Sequence, residues 1–246
     1  DWLNQITEIE KTPPTVWKEQ AALMPAKDEL GKSLTAQACV DHALLHCFER
    51  ASVMDGKRIL ETAFKHSLGM KDVDLDEITK VFENDKRIIH VEEKGRTLCT
   101  TKEVLAEEKR MVELAKNGQG KVVPLYDEVP LLNLKGQQAF AISHVLTTSH
   151  RVSIVRGAAG AGKTSLMKEA VSHMEKAGKS VTVVAPTAQA SRGVLKEEGF
   201  DKAETVAKFL SDPVMQEKIK GQVLWVDEAG LLGTKDMTSL LEIATK

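Results

Sequence analysis

The stretch Ser153-Ile-Val-Arg-Gly157-Ala158-Ala159-Gly160-Ala161-Gly162-Lys163-Thr164-Ser165 constrains this chain more than any other. An apolar run leads into small residues, and the small residues lead into an amphipathic pattern with Leu166, Met167, Ala170 and Met174 on one face. Glycine and alanine let a backbone curl tightly around an anion, and the N–H groups at the start of the following helix face negative charge. This is the P-loop pattern. In it Lys163 would reach the β- and γ-phosphates of a nucleotide, and the Thr164 hydroxyl would bind Mg²⁺. Gly157 to Ser165 are the expected phosphate-binding residues.

The surrounding pattern fits an α/β unit. Residues 152–155, 181–185 and 223–226 are short continuous apolar runs separated by helical stretches, as expected of strands buried on both faces of a parallel sheet. The last run, Gln222-Val-Leu-Trp225-Val226, ends in Asp227-Glu228. Two carboxylates there could simply cap the next helix. Behind a P-loop they take the Walker B reading: Asp227 holds the Mg²⁺ shell, and Glu228 acts as the base that polarises the attacking water. ATP and Mg²⁺ are the cofactors this implies, with hydrolysis as the reaction.

Upstream, residues 1–34 are broken by Pro13-Pro14, Pro25 and Gly31 and read as an arm, with a short helix at 16–23 and Trp2 and Trp17 available for packing. Helices are expected at 35–50, with Thr35 as N-cap, at 56–68, with Gly69 as a stop, and from 74 onward. A hairpin follows, 87–91 and 97–100 around Glu93-Lys94-Gly95, and then a charged helix at 101–116. Three helices and a hairpin are the order of a winged helix, so 35–116 is expected to be a mainly helical winged-helix-like domain. Its third helix is acidic, which argues against contact with phosphate. Gly118, Gly120, Pro124 and Pro130 mark 117–130 as a linker, leaving 131–246 for the α/β lobe.

Composition excludes little more. A net charge of -2 rules out a uniformly basic nucleic-acid coat but not a local basic groove. No apolar run has the length of a membrane span, so no membrane insertion is expected. Cys39, Cys47 and Cys99 show no paired spacing, which fits a reducing cytoplasm. The chain opens on Asp1, and an excised piece of a larger protein is expected. Cys39, His42 and His46 share a helix face, but Cys39 and His46 lie about 10 Å apart along it, too far for one tetrahedral ion. Trp225 is expected in the core, and Lys168, Lys176 and Lys179 on a solvated face.

Between the two motifs stands Val183-Val-Ala-Pro186-Thr187-Ala188-Gln-Ala190-Ser-Arg192-Gly-Val-Leu195. With the P-loop and Asp227-Glu-Ala-Gly-Leu-Leu-Gly-Thr-Lys-Asp-Met237, it resembles superfamily 1 DNA helicases of the RecD-like branch. The wording is most similar to the helicase region of TraI/TrwC-type conjugative relaxases, as is Ala203-Glu-Thr205-Val-Ala-Lys-Phe209-Leu210. Leu134-Lys-Gly136-Gln137-Gln138-Ala139 resembles the adenine-reading Q motif, with Gln137, or else Gln138, as the reader. His46–Val53 and Thr100–Glu108 resemble the segment that precedes the motor in the same proteins.

The resemblance implies that 131–246 is the first RecA-like lobe of a helicase moving 5′ to 3′ on single-stranded DNA. Pro186, Thr187 and Ala188 would line the DNA track, and Arg192, just after them, would meet a phosphate. It implies as partners a second RecA-like lobe and a relaxase domain of the same parent chain, with conjugative type IV secretion machinery. The relaxase histidines, the later motor motifs and the arginine finger are absent from this sequence, and its one tyrosine, Tyr126, falls in the linker. The fragment is therefore expected to bind nucleotide without unwinding DNA. Two other readings stand beside this one. A DNA-holding or secretion-signal module with a degenerate motor is disfavoured by the intact Lys163, Thr164, Asp227 and Glu228. A nucleotide kinase is disfavoured by the Asp-Glu pair and the Ala-Pro-Thr loop.

Overall fold

The computed structural model describes residues 35–68, 73–158 and 160–245. The arm at 1–34 with its expected helix, Trp2 and Trp17, the stop at Gly69, and Ala159 of the glycine-rich loop lie outside the described residues. The chain divides into two compact units, Asp1–Val104 and Leu105–Lys246.

The first unit is built from locally capped helices. In α1 (Ala36–Cys47) Thr35 Oγ1 accepts the Ala38 N–H at 3.2 Å. In α2 (Gly56–Ser67) Asp55 accepts from Lys57 at 2.9 Å, and in α3 (Leu75–Asn84) Asp74 accepts from Asp76 at 3.2 Å. Strand β2 (Ile88–Glu93) turns through Lys94 and Gly95, both at positive φ, into β3 (Arg96–Thr101), so that Glu93 pairs with Arg96 and Ile88 with Thr101. A two-residue strand, β1 (Met54–Asp55), adds to the other edge of β3, giving the antiparallel order β1-β3-β2. Two residues are too short to show a period, so no sequence pattern marks β1. The order helix, strand, two helices, hairpin is winged-helix-like. Cys39, Val40, Ala43, Ile59, Ala63, Ile78, Phe82 and Cys99 fill the core between the layers. At the polar edge, Arg87 pairs with Asp41 of α1 and with Asp85, and its guanidinium holds the Asp85 carboxyl below the usual carboxylate range. Asp76, Glu77 and Glu83 of α3 are exposed.

In the second unit α4 runs over Lys102–Asn117, and the division between the units falls inside it. Residues 117–130, expected as a linker, are irregular yet tied to their own unit. Val122 N–H donates to Ser149 O at 3.0 Å, Tyr126 N–H to Leu146 O at 3.1 Å, and Arg151 N–H to Gly118 O at 2.9 Å. Leu125 and Tyr126 pack on a cluster of Ile142, Leu146, Leu166, Ala170 and Met174. Proline and glycine mark chain that cannot be regular, which is a different property from chain that is loose.

Helix α5 (Gly136–Thr147) and helix α6 (Lys163–Lys176) flank the glycine-rich loop. A parallel sheet follows, built from β4 (Val181–Ala185), β5 (Glu204–Thr205) and β6 (Val223–Val226) in the order β5-β4-β6, with Val181 opposite Val223 and Val184 opposite Val226. Helices α7 (Val206–Ser211), α8 (Pro213–Lys218) and α9 (Thr234–Ala244) complete the unit. The expected strand at 152–155 is not formed: the segment has no ladder partner, Ile154 is exposed, and Ser153 Oγ is buried without a hydrogen bond. Its apolar run reflects packing of Val155 onto the α5–α6 cluster rather than a place in the sheet. The double burial expected of the strands is also incomplete. Only Val183, Val184 and Ala185 are fully buried, whereas β6 is half-buried throughout. Trp225 packs into two of the clusters, as a core residue does. Of the three lysines assigned to a solvated face, Lys168 pairs with Glu198, and Lys179 Nζ donates to Gly221 O at 2.7 Å. No helix among the described residues is long and apolar enough to cross a membrane.

Candidate nucleotide site

The loop before α6 owes its shape to glycine. Gly160 and Gly162 take φ of 75° and 73°, the left-handed region in which an L side chain is strained. Gly162 is the N-cap of α6, so Lys163 is the first helical residue, and Thr164 and Ser165 follow it in the first turn. The unsatisfied N–H groups of a helix start therefore lie directly behind the loop. The Lys163 ammonium is folded onto the loop itself and donates to the carbonyls of Gly157 at 3.1 Å and Ala158 at 3.0 Å. A β-carbon at Gly157 would sit 3.4 Å from Lys163 Cγ, so the loop closes on the lysine stem.

Helix α5 reaches the same place. Gln138 Nε2 donates to the carbonyls of Ala161 at 3.1 Å and Gly162 at 3.2 Å, across the last turn of the loop. Gln137 is exposed on the helix surface. Of the two candidate glutamines, Gln138 is the one brought to the loop. Position 137 points elsewhere because neighbours on a helix are turned by about 100°.

The carboxylate pair sits where β6 ends. Asp227 N–H donates to Val184 O at 2.9 Å, extending the β4–β6 ladder by one residue and fixing the chain at Asp227. Glu228, exposed, takes φ 49° and ψ 34°, and it and Lys94 are the described non-glycine residues at positive φ. Backbone strain of that kind is concentrated at functional sites.

Beyond β4, Thr187 Oγ1 accepts the Ala190 N–H at 3.1 Å and opens a π-helix, Gln189–Val194. Pro186 and Thr187 form the bend ahead of it, and Ala188 is its N-cap. Arg192 is paired with Glu204 at 3.3 Å, on the surface. Among the described residues, no group of three His, Cys, Asp or Glu side chains could hold a metal ion; His42 instead stacks on His66 at 3.8 Å between ring centroids.

Sequence reasoning missed Glu169. Its side chain is 9% exposed, and its carboxylate accepts the backbone N–H groups of Asn133 and, at 3.0 Å, of Leu134. The signal was present: Leu166, Glu169, Ala170 and His173 follow the i, i+3, i+4, i+7 rule for one helix face, and the other three are buried.

Residues 133–246 match the AAA domain family. Over an alignment of 156 positions that covers 58% of the chain, it is 29% identical to the "Multifunctional conjugation protein TraI" of Escherichia coli strain K12. A 114-residue stretch covering 46% of the chain is 34% identical to the "Probable conjugal transfer protein TraA" of Sinorhizobium fredii. The chain spans 9% and 10% of the length of these two relatives.

Proposed function

We propose that the second unit, whose residues 133–246 match the AAA domain family, binds ATP and forms the first motor lobe of a conjugative DNA helicase. The observation that carries the reading is Lys163 at the first position of α6, behind a loop turned by Gly160 and Gly162, with its ammonium folded onto loop carbonyls. An ammonium resting on neutral carbonyls exchanges them readily for phosphate oxygens, which carry full charge.

Each residue then has a task. Gly157, Ala158, Gly160, Ala161 and Gly162 keep side chains out of the phosphate path, and the α6 N-terminus faces the anion. Lys163 neutralises the β- and γ-phosphates, with Ser165 in the same helical turn. Thr164 and Asp227 would hold Mg²⁺, a hard cation suited to hydroxyl and carboxylate oxygens, which screens the charge of the transferred phosphoryl group. Glu228, in its strained turn, takes the proton of the attacking water. Gln138 braces the loop. Pro186, Thr187, Ala188 and Arg192 meet single-stranded DNA. The relatives named for conjugation support a link to DNA transfer, while the 5′ to 3′ direction, the cytoplasmic setting, the second RecA-like lobe, the relaxase domain and the secretion machinery rest on the sequence resemblance alone. Unwinding belongs to that longer protein, while this chain alone binds nucleotide with little turnover.

Calorimetric titration of Mg-ADP into the chain, with Lys163→Ala beside it, tests the reading. Saturable binding weakened at least about tenfold by the substitution is expected, equivalent to about 1.4 kcal/mol. Absence of binding by both proteins would overturn it in favour of a DNA-holding module.

A further inference from the structure

Glu169 stands on the second turn of α6, away from the loop, yet it closes a circuit that returns to the loop. Its carboxylate holds the N–H groups of Asn133 and Leu134, immediately ahead of α5. That helix has no side-chain cap of its own at Lys135. Within the first turn of α5, Gln138 reaches back and donates to Ala161 O and Gly162 O, the residues that lead into α6. Glu169 cannot easily swing out of this arrangement. It is nearly enclosed, His173 Nε2 lies 3.9 Å from its Oε1, and the Tyr126 hydroxyl fixes that stretch of α6 by donating to His173 O at 2.8 Å.

We propose that Glu169 is a positioning residue of the glycine-rich loop, acting through α5 and Gln138 rather than by touching a ligand. The carboxylate sets where α5 begins. The start of α5 sets the reach of the Gln138 amide, and that amide holds the last turn of the loop in the shape that presents the α6 N-terminus. Charge-assisted bonds to two consecutive N–H groups make the carboxylate a stiffer anchor than a neutral side chain would be. The consequence for nucleotide affinity rests on the function proposed above, whereas the mechanical coupling does not.

The experiment compares wild type, Glu169→Gln, Gln138→Ala and the double variant by amide hydrogen exchange without ligand, then by Mg-ADP titration. Glu169→Gln keeps the size of the side chain and one neutral acceptor, which preserves folding. Exchange at residues 160–166 is expected to rise about fivefold in each single variant, the scale of one lost hydrogen bond, and no further in the double variant. Exchange in β4 stays at the wild-type rate and serves as the check on global stability. Mg-ADP affinity should fall about fivefold with Glu169→Gln when Gln138 is present and be unchanged by it when Gln138 is absent. The proposal is overturned if Glu169→Gln accelerates exchange only at 133–134, if its effect adds in full to that of Gln138→Ala, or if β4 loosens equally. Wild type that binds no Mg-ADP would sink the nucleotide reading alone, because the exchange arm still decides the coupling.

Discussion

Gln138 Nε2 lies 3.2 Å from the carbonyl of Gly162 and occupies the space where a β-carbon on that glycine would stand, 2.4 Å away. Two separate conditions therefore require glycine at this position, and they differ in cost. The clash is with the end of a flexible side chain, which can move. The left-handed backbone at φ 73° cannot be avoided. Gly162→Ala should lower stability by about 1–2 kcal/mol in urea unfolding. Adding Gln138→Ala should recover none of it.

Glu228 bears the same backbone cost without being glycine. Being exposed, it has no packing to lose. Glu228→Gly should raise stability by about 0.5–1 kcal/mol, the left-handed penalty less the entropy of a freer unfolded chain. Glu228→Gln should leave stability unchanged, and thermal melting of the three proteins makes the comparison. In a hydrolysing parent protein both variants should lose turnover, the expected trade between stability and activity.

Arg192 and Glu204 form an exposed pair, and such pairs add little. Arg192→Ala should change unfolding free energy by less than about 0.5 kcal/mol. If Arg192 meets a DNA phosphate, the slope of log affinity against log salt for single-stranded DNA should fall by about 0.7. An unchanged slope would remove Arg192 from the DNA track.

His66 is stacked on His42, and its pKa is lowered from the ordinary histidine value by burial and then by the His42 charge. Its NMR titration midpoint should lie below about 6.5. His42→Ala should raise that midpoint only partway, because burial remains. A depressed folded-state value means that the unfolded chain takes up this proton first. The contribution of His66 to stability is therefore complete above about 6.5 and is lost as pH falls from there through the folded-state value.

What could be read from sequence was local. Left-handed glycines and a helix start are properties of a few consecutive residues, so Gly160, Gly162 and the beginning of α6 were legible from spacing alone. The choice between Gln137 and Gln138 needed the phase of α5 against the loop, a tertiary quantity. At 152–155 an apolar run reported burial of Val155 but carried no information on whether a ladder partner exists. Glu169 acts across 36 and 35 residues of sequence, and no local pattern encodes a partner at Asn133 or Leu134.

The π-helix after β4 makes the second unit unevenly tolerant of changes in length. Leu195 N–H reaches Ala190 O, five residues back, so this turn holds one residue more than an α-turn would. Deleting a residue from 189–194 could be absorbed by tightening the turn to α geometry, with β4 and the helix end at Leu195 kept in place. The same deletion inside α6 has no slack to draw on. It would rotate everything beyond it by about 100° and carry Ala170, His173 and Met174 out of the core. Insertions and deletions introduced along this unit should therefore survive beside the Ala-Pro-Thr bend and fail in the helix behind the glycine-rich loop.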